Sequence, residues 1–507
     1  MSALIQKLKS LSQLKLNAIA NYAGNFWSNL LSFLLVPVYL HYLGVEAYGL
    51  IGGFYAMISF VGLLDLGLSA TIKREVALRN AIPEKVLTIP DLLRTTEIIY
   101  WCTGTVILLL MVFLAQPIST QWINAENIDL TTVKWAVIIL GLTVAVRWPV
   151  TTYRGTLIAL EKQVQLNILE VILKTFRELG AVIILVMISP TIIGLLLWQA
   201  FIAIVEVLLM MVFAWCYVPK TENRASFKLE ILQEIWRFAV GVSWTTIVSM
   251  MLSQIDKILL SKFVSLEQFG YYMLASTLAQ KISLIFQPFV VAISPQIITL
   301  AAQPDEQKLI NLFHKSSLFI SLTVIPVAST FIFFAPIILE LWTQSPDVAA
   351  QASSILAILT FGAMLDSISN ISSQIQLAIG KPQIAAIFNS FSVVLVIPAM
   401  LYVVPELHLL GAALIKTGLN ILYYLVLSRI THCYILHQEY RRWLIQDTLI
   451  PILMCFTIFF IVSQVQALLI GKIFTIFCIL IGMTVSYGIL LLWYKYQLKV
   501  HSILASN

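Results

Sequence analysis

Charge is what this sequence has least of. Only 11% of its 507 residues are Asp, Glu, Lys or Arg, against 60% hydrophobic residues and a mean hydropathy of +0.92. That balance leaves too little polar surface to coat a water-soluble globule, so the solvent it implies is lipid. Cysteine is scarce as well: Cys102, Cys216, Cys433, Cys455 and Cys478 are scattered, mostly inside apolar stretches, as packing or lipid-facing residues. Their spacing excludes a disulfide framework, a zinc ligand set and a redox pair. His432 and His437 near Cys433 have no set of acidic partners around them and suit a solvated interfacial loop better than a metal site. A Gly-x-x-x-x-Gly-Lys-Ser/Thr phosphate loop is missing, which argues against ATP-driven transport within this chain. Large outer loops are missing too. Glu126 with Asp129, and Glu340 with Asp347, are the acidic pairs there, and no loop gathers acids and bases for glycosyl transfer. No small-residue cleavage site follows Lys7, Lys9 and Lys15, so the first helix reads as a retained anchor.

What the sequence has in abundance is apolar length. Stretches such as that around Val106 to Ala115 supply the roughly 20 residues that cross ~30 Å of hydrocarbon. The pattern predicts an all-α polytopic membrane protein of about fourteen spans, from 17–41 and 47–71, through 166–188, 192–217 and 238–259, to 444–467 and 473–494. Lys and Arg fall on one set of alternating loops, among them Lys73, Arg74, Arg79, Lys85, Arg94, Arg147, Arg154 and Lys162. The opposite side receives Lys134, Lys257, Lys262 and Lys472. The positive-inside bias therefore places both termini and the 72–94 loop in the cytoplasm. The net charge of +6 reports topology, and no nucleic-acid partner is expected.

The chain also repeats itself at an offset of about 220 residues. Val45-Glu46-Ala47-Tyr48-Gly49-Leu50 returns as Leu266-Glu267-Gln268-Phe269-Gly270-Tyr271, Ala159-Leu160-Glu161-Lys162 as Ala378-Ile379-Gly380-Lys381, and Gly141 as Gly362. A repeat of six helices preserves orientation, so the copies should be related by a pseudo-twofold axis along the membrane normal. The expected division is a six-helix lobe over 1–217, a second over 218–436, and an appended pair of helices over 437–507. Gly49 and Gly270 are expected at tight outer turns where positive φ excludes a side chain.

Ionisable residues inside spans cost about 2.5–3.5 kcal/mol each on insertion scales and so turn inward or toward a wet cavity. On the fifth span Gln163, Asn167, Glu170, Lys174, Arg177 and Glu178 form one stripe, in which Glu170, Lys174 and Glu178 can pair locally. Arg177 is left without an evident local partner, and a permanent planar cation at that depth suits a phosphate. A self-neutralising structural network between helices is the competing account. The first span carries Asn17, Asn21, Asn25 and Asn29, and the seventh carries Thr246, Ser249, Ser253 and Asp256-Lys257. Gln280 with Lys281, Asp366 with Ser369 and Asn370, and Lys416 with Asn420 follow on later spans. Amide and small residues commonly mediate helix packing, which is the plain reading of the Asn and Ser stripes. Pro37, Pro288, Pro326 and Pro398 fall within spans, where each can kink its helix.

The stretch Ile255-Asp256-Lys257-Ile258-Leu259-Leu260, followed by Val264-Ser265 and Phe269-Gly270-Tyr271-Tyr272, resembles polysaccharide flippases of the multidrug, oligosaccharidyl-lipid and polysaccharide exporter superfamily. Pro37-Val38-Tyr39-Leu40, Leu43-Gly44, Tyr48-Gly49-Leu50 and Asp65-Leu66-Gly67-Leu68 resemble the opening of the same family. The resemblance implies two lobes around a central cavity in the inner (plasma) membrane. It implies a non-enzymatic flippase, without cofactor or metal, that carries an undecaprenyl-diphosphate-linked oligosaccharide to the outer leaflet for surface polysaccharide synthesis. The partners then expected are the lipid-linked oligosaccharide, membrane lipids, a polysaccharide polymerase and other assembly proteins. The candidate cavity residues are Lys174, Arg177, Lys281, Lys416, Asn25, Asn29 and Gln280, with Glu170, Glu178, Asp366 and Asp256 as ion-coupling candidates. The peptidoglycan-precursor branch places an arginine in helix 1, and none lies between Lys15 and Lys73. An ion-coupled multidrug exporter, or an integral glycan polymerase or transferase, is the alternative reading.

Overall fold

The computed structural model describes residues 13–504 apart from 66, 222–223, 304–305, 382, 435–438 and 468–470. Lys7, Lys9 and His437 lie outside the described residues, and of Asn17 and Thr246 only the backbone is described. Among the described residues the chain is helical throughout its length, with a single parallel bridge between Asn124 and Ser265. Ten stretches are long and apolar enough to cross a membrane. Two of these are double. The α1 helix (Gln13–Val61) is broken at Gly44, where φ is 78°, and the Gln383–Leu422 helix is broken at His408, where φ is 46°. Gln163–Ile183 and Leu229–Phe263 are also of spanning length, though not among the ten. Counting each broken stretch twice and adding these two helices gives about fourteen rods, the number that span length predicts.

The chain divides into two compact units, one of Met1–Gln254 with Ser265–Gly270, the other of Ile255–Val264 with Tyr271–Asn507. In the first, α2 (Leu68–Ala81), α3 (Ile89–Pro117), α4 (Leu130–Arg147), α5 (Val150–Ala159), α6 (Gln163–Ile183) and α7 (Ile192–Tyr217) follow α1. A buried cluster that includes Ile72, Leu92, Tyr100, Tyr153, Val207 and Met210 ties α2, α3, α5 and α7 together. Along the chain α8 (Leu229–Phe263) and α9 (Leu266–Ala301) come next, then in the second unit α10 (Glu306–Phe333), α11 (Ala335–Thr343), α12 (Pro346–Ala378), α13 (Gln383–Leu422), α14 (Ser428–Tyr434), α15 (Ile450–Ala467) and α16 (Lys472–Leu504). Of these, α10, α12, α15 and α16 share a core that includes Phe313, Ile368, Trp443, Cys455 and Leu490. Cys455 and Cys478 are buried, whereas Cys102, Cys216 and Cys433 lie on exposed faces.

The expected second span, 47–71, is too long. Its helix ends at Val61, turns through a 3-10 segment at Gly62–Asp65, and restarts as α2 after Gly67, whose φ is 74°. The Asp65 carboxylate accepts from the Ser69 amide at 3.2 Å and so fixes the new direction. The segment read as a 72–94 loop is instead α2, a short helix at Pro83–Val86 and the start of α3. Its charge is partly neutralised, since Arg79 reaches Glu75 at 3.9 Å within the segment and Glu234 at 2.9 Å beyond it.

The glycines of the first repeat pair act differently from the expectation. Gly49 and Gly270 are helical, and the positive φ belongs to Gly44. Their need is space: a Cβ on Gly49 would collide with the Leu266 carbonyl and lie 2.9 Å from the Gly270 nitrogen, and one on Gly270 would collide with the Val45 carbonyl. Two backbones cross there in contact, within the first unit. The second repeat pair is also structural. Glu161 (φ 60°) and Gly380 (φ 74°) each end a helix in the left-handed region. The following Lys162 and Lys381 amides each donate 2.9 Å back to Leu157 and Gln376, the same cap made twice. The four prolines named above lie inside helices, but the non-helical dihedrals fall at Gly44 and His408.

Candidate functional site

The polar stripe of α6 divides between two neighbours. Toward α1 it forms a ladder: Asn21 donates to Gln163 at 3.0 Å, Asn167 donates to Asn21 at 2.5 Å, and Trp27 donates to Thr175 at 2.9 Å. The ladder ends at Glu178, which accepts from the Tyr39 hydroxyl at 2.6 Å and from Ser32 at 3.3 Å. Glu178 also holds Lys174 at 2.5 Å, the pairing its spacing predicts. Side-chain hydrogen bonds of this kind replace the water that hydrocarbon cannot supply.

Toward α4, α5 and α7 the same helix lines a cavity of about 490 Å³ within the first unit. Lys73, Arg147, Arg154, Lys174 and Arg177 line it against Glu170 and Glu206, with Tyr55, Gln199 and several hydroxyls completing the wall. Positive charge is in excess. Glu170 holds Arg154 at 2.9 Å, and Arg147 and Arg177 both pair with Glu206. Arg177 has no partner within its own helix's stripe, as its spacing implies, and finds one across helices, as the competing account of a neutralising network holds. Its partner sits on the next helix, where local spacing could not show it. The signal was nonetheless present, because Glu206 is the sole charged residue in the apolar stretch of α7. Trp198 donates to the Arg177 carbonyl at 3.0 Å, which anchors α7 on α6 beside the guanidinium.

The arginines are unequally covered. Arg177 is 12% exposed, whereas Arg147 and Arg154 are 40% and 52% exposed. A guanidinium with one acid partner still has donors to spare for an incoming anion. The arrangement is thus one buried, acid-anchored cation with two accessible ones beside it, suited to gripping a phosphate group of high charge.

The remaining candidates fall elsewhere. Asn25 is exposed and Asn29 donates to the Asn25 carbonyl at 2.8 Å. In the second unit Asp256, 2% exposed, accepts from the Tyr272 hydroxyl at 2.7 Å and lies 3.5 Å from the Lys416 ammonium. A substrate candidate and a coupling candidate from the sequence are therefore partners of one another. Gln280 donates to Ser276 at 2.9 Å, Lys281 is half-buried, and the Asp366 side chain is exposed. His432 corrects the solvated-loop reading: it is fully buried, with Nδ1 2.7 Å from the Ser428 carbonyl and its ring against Phe313 and Trp443.

Residues 14–301 match the model of a family described as polysaccharide biosynthesis protein, and residues 242–401 match the MatE family model. A Shigella flexneri protein assigned to O-antigen transport is 19% identical over 375 residues, which is 73% of this chain and 86% of that one. Among solved structures, the lipid II flippase MurJ in an inward closed conformation aligns at a TM-score of 0.69 and 15% identity, covering 94% of this chain and 99% of that one. An inward-facing multidrug resistance MATE transporter of the MOP superfamily aligns at 0.64 and 14% identity, covering 83% and 94%. The fold is that of the MOP superfamily, and with more than half its length matched by the family model, this multi-pass membrane chain belongs to the polysaccharide biosynthesis protein family.

Proposed function

We propose that this protein is a flippase that moves an undecaprenyl-diphosphate-linked oligosaccharide from the cytoplasmic to the outer leaflet of the inner membrane, for assembly of a surface polysaccharide. The observation that carries the reading is the cavity of the first unit, where Arg147, Arg154, Lys174 and Arg177 outnumber Glu170 and Glu206 in a member of a polysaccharide biosynthesis family. A diphosphate crossing a bilayer needs cations that stay charged at depth, and guanidinium does so at any physiological pH. The relatives named for O-antigen transport and for lipid II flipping support the same substrate class. The substrate leaves unchanged in covalent structure, so the role is transport and not catalysis.

The basic cavity belongs at the cytoplasmic side, because Lys73, Arg147 and Arg154 are among the charges that set the positive-inside count. Both termini are then cytoplasmic, and the division into lobes at 1–217 and 218–436 with an appended pair at 437–507 stands as part of the same proposal. A cysteine replacing Lys85 should resist a membrane-impermeant thiol reagent in intact cells, and labelling from outside would reverse the topology.

The test of the site is surface polysaccharide output normalised to the amount of protein in the membrane. Arg177→Lys keeps the charge but loses the planar fork, and Arg177→Gln keeps hydrogen bonding but loses the charge. Output per molecule should fall for Lys and fall further, by about tenfold or more, for Gln, since a charged hydrogen bond contributes roughly 1.5–3 kcal/mol. Normal output from Arg177→Gln would remove Arg177 from the substrate site.

A further inference from the structure

The second unit holds a cluster of titratable groups that the transport reading does not use. His314 of α10 is fully buried. Its Nδ1 lies 2.5 Å from an Asp447 carboxylate oxygen, and its Nε2 lies 3.0 Å from a Glu439 oxygen. Both acids belong to the segment that leads into α15, so the ring joins the appended helices to the body of the unit. Asp447 is itself 1% exposed and sits in a π-helical turn, Trp443–Leu449, a local widening common where a helix must aim a functional group. The same turn is pinned twice more, by Ser321 donating to the Asp447 carbonyl at 2.7 Å and by Trp443 donating to Ser317 at 3.1 Å. The other titratable neighbours are Arg442, 3.5 Å from Glu439, and His432 and Tyr440, which stack in the same aromatic group.

The proton count of this arrangement is specific. An ionised carboxylate only accepts, and a neutral imidazole has a single N–H, so two ionised acids facing both ring nitrogens require the imidazolium. With a neutral ring, one carboxyl must carry the proton instead. Either way the contacts close only when one proton more than the neutral ring between two carboxylates is present. The ring's hydrogen bond, reinforced by Arg442, holds the Glu439 carboxyl below the usual range, and that coupling stabilises the imidazolium reciprocally. A lysine or arginine would make a permanent clamp, whereas a histidine makes one that a proton can open.

We propose that His314, Asp447 and Glu439 form a proton-binding site whose occupancy holds the appended helices on α10. The clamp is present when the extra proton is bound, below the free histidine pKa of about 6.5, and is lost as pH rises until that proton leaves. Loss leaves a ring lone pair facing a buried carboxylate, and the 440–450 turn loosens.

Hydrogen–deuterium exchange of the full-length protein in lipid nanodiscs, read on peptides covering 440–450 and corrected for intrinsic exchange, tests this from about pH 5.5 to about pH 9. In the unmodified protein, protection should fall about tenfold across a single step. His314→Gln, which cannot titrate, should abolish the step. Glu439→Gln removes the outer acid but leaves the Asp447 contact, and it should move the midpoint down by about one pH unit with the protein still folded. A flat profile in the unmodified protein, a step that survives His314→Gln, or an unmoved midpoint in Glu439→Gln would each overturn the proposal.

Discussion

Arg177 on α6 and Arg147 on α4 share a single carboxylate, that of Glu206, which α7 supplies from an otherwise uncharged apolar stretch. The sharing makes the three residues unequal. Removing Arg177 leaves Glu206 still paired with Arg147 at 2.9 Å, whereas removing Glu206 leaves two guanidinium groups facing each other with no acid between them.

Glu206→Gln should therefore lower the thermal stability of the solubilised protein more than Arg177→Gln does. Breaking a buried pair so as to strand its charge costs about 3–5 kcal/mol, and the Arg177→Gln change strands none. Adding Arg177→Gln to Glu206→Gln should recover part of the loss, because it removes one of the two stranded cations. Fluorescence-detected size-exclusion chromatography after a temperature series reads all three variants. Equal stability of Glu206→Gln and the unmodified protein would show that the carboxylate neutralises neither arginine.

The membrane class and the rods were legible in the sequence because lipid imposes length and period on every helix. The helix ends at Glu161 and Gly380 show how local that signal is: one cap, written twice in similar residues, was readable as self-similarity. Partners across helices were not readable. Glu206 and Asp447 each sit within long apolar runs, and hydropathy averaging hides a single acid while the cost of burying it points straight to a partner. His314 escaped notice for the same reason, since both of its acids lie more than a hundred residues away along the chain. The α1 Asn stripe was ambiguous in sequence between substrate and packing, and Asn21 is engaged in packing against α6. Span 47–71 ran long because Gly67, which turns the chain, carries no hydropathy signal against it.

The crossing at Gly49 and Gly270 yields a graded prediction. A methyl at either position meets backbone atoms, which cannot rotate away as a side chain can, so the cost should sit at or above the usual ~1–3 kcal/mol of overpacking. At Gly44 nothing lies within 4 Å, and alanine there meets only the strain of a backbone at φ 78° and ψ 171°, about 1–3 kcal/mol. Membrane abundance and melting temperature should thus drop further for Gly49→Ala and Gly270→Ala than for Gly44→Ala. The reverse order would mean that backbone conformation, and not close approach, is what these glycines serve.

The last prediction concerns Asp256 and Lys416, which the sequence offered as a coupling acid and a substrate cation. Asp256 is 2% exposed, takes one hydrogen bond of 2.7 Å from Tyr272, and has the Lys416 ammonium 3.5 Å away. Lys416 acts on the carboxylate most strongly, and Lys257, buried on the same helix, is a second cation whose charge reaches it. If the pair is structural, Lys416→Gln leaves the buried acid with only Lys257 to balance it and should cut the amount of folded protein several-fold, toward the about 3–5 kcal/mol that breaking a buried pair costs. Asp256→Asn in the same chain should restore the amount by removing the stranded charge. Polysaccharide output per molecule in that double variant then separates the roles: near-normal output means that neither residue handles substrate or a coupling ion, and a large loss in a well-folded double variant returns both to the transport path. Lys416→Gln with undiminished abundance would refute the structural pairing outright, because an acid this deeply buried cannot lose the cation that acts on it most strongly at no cost.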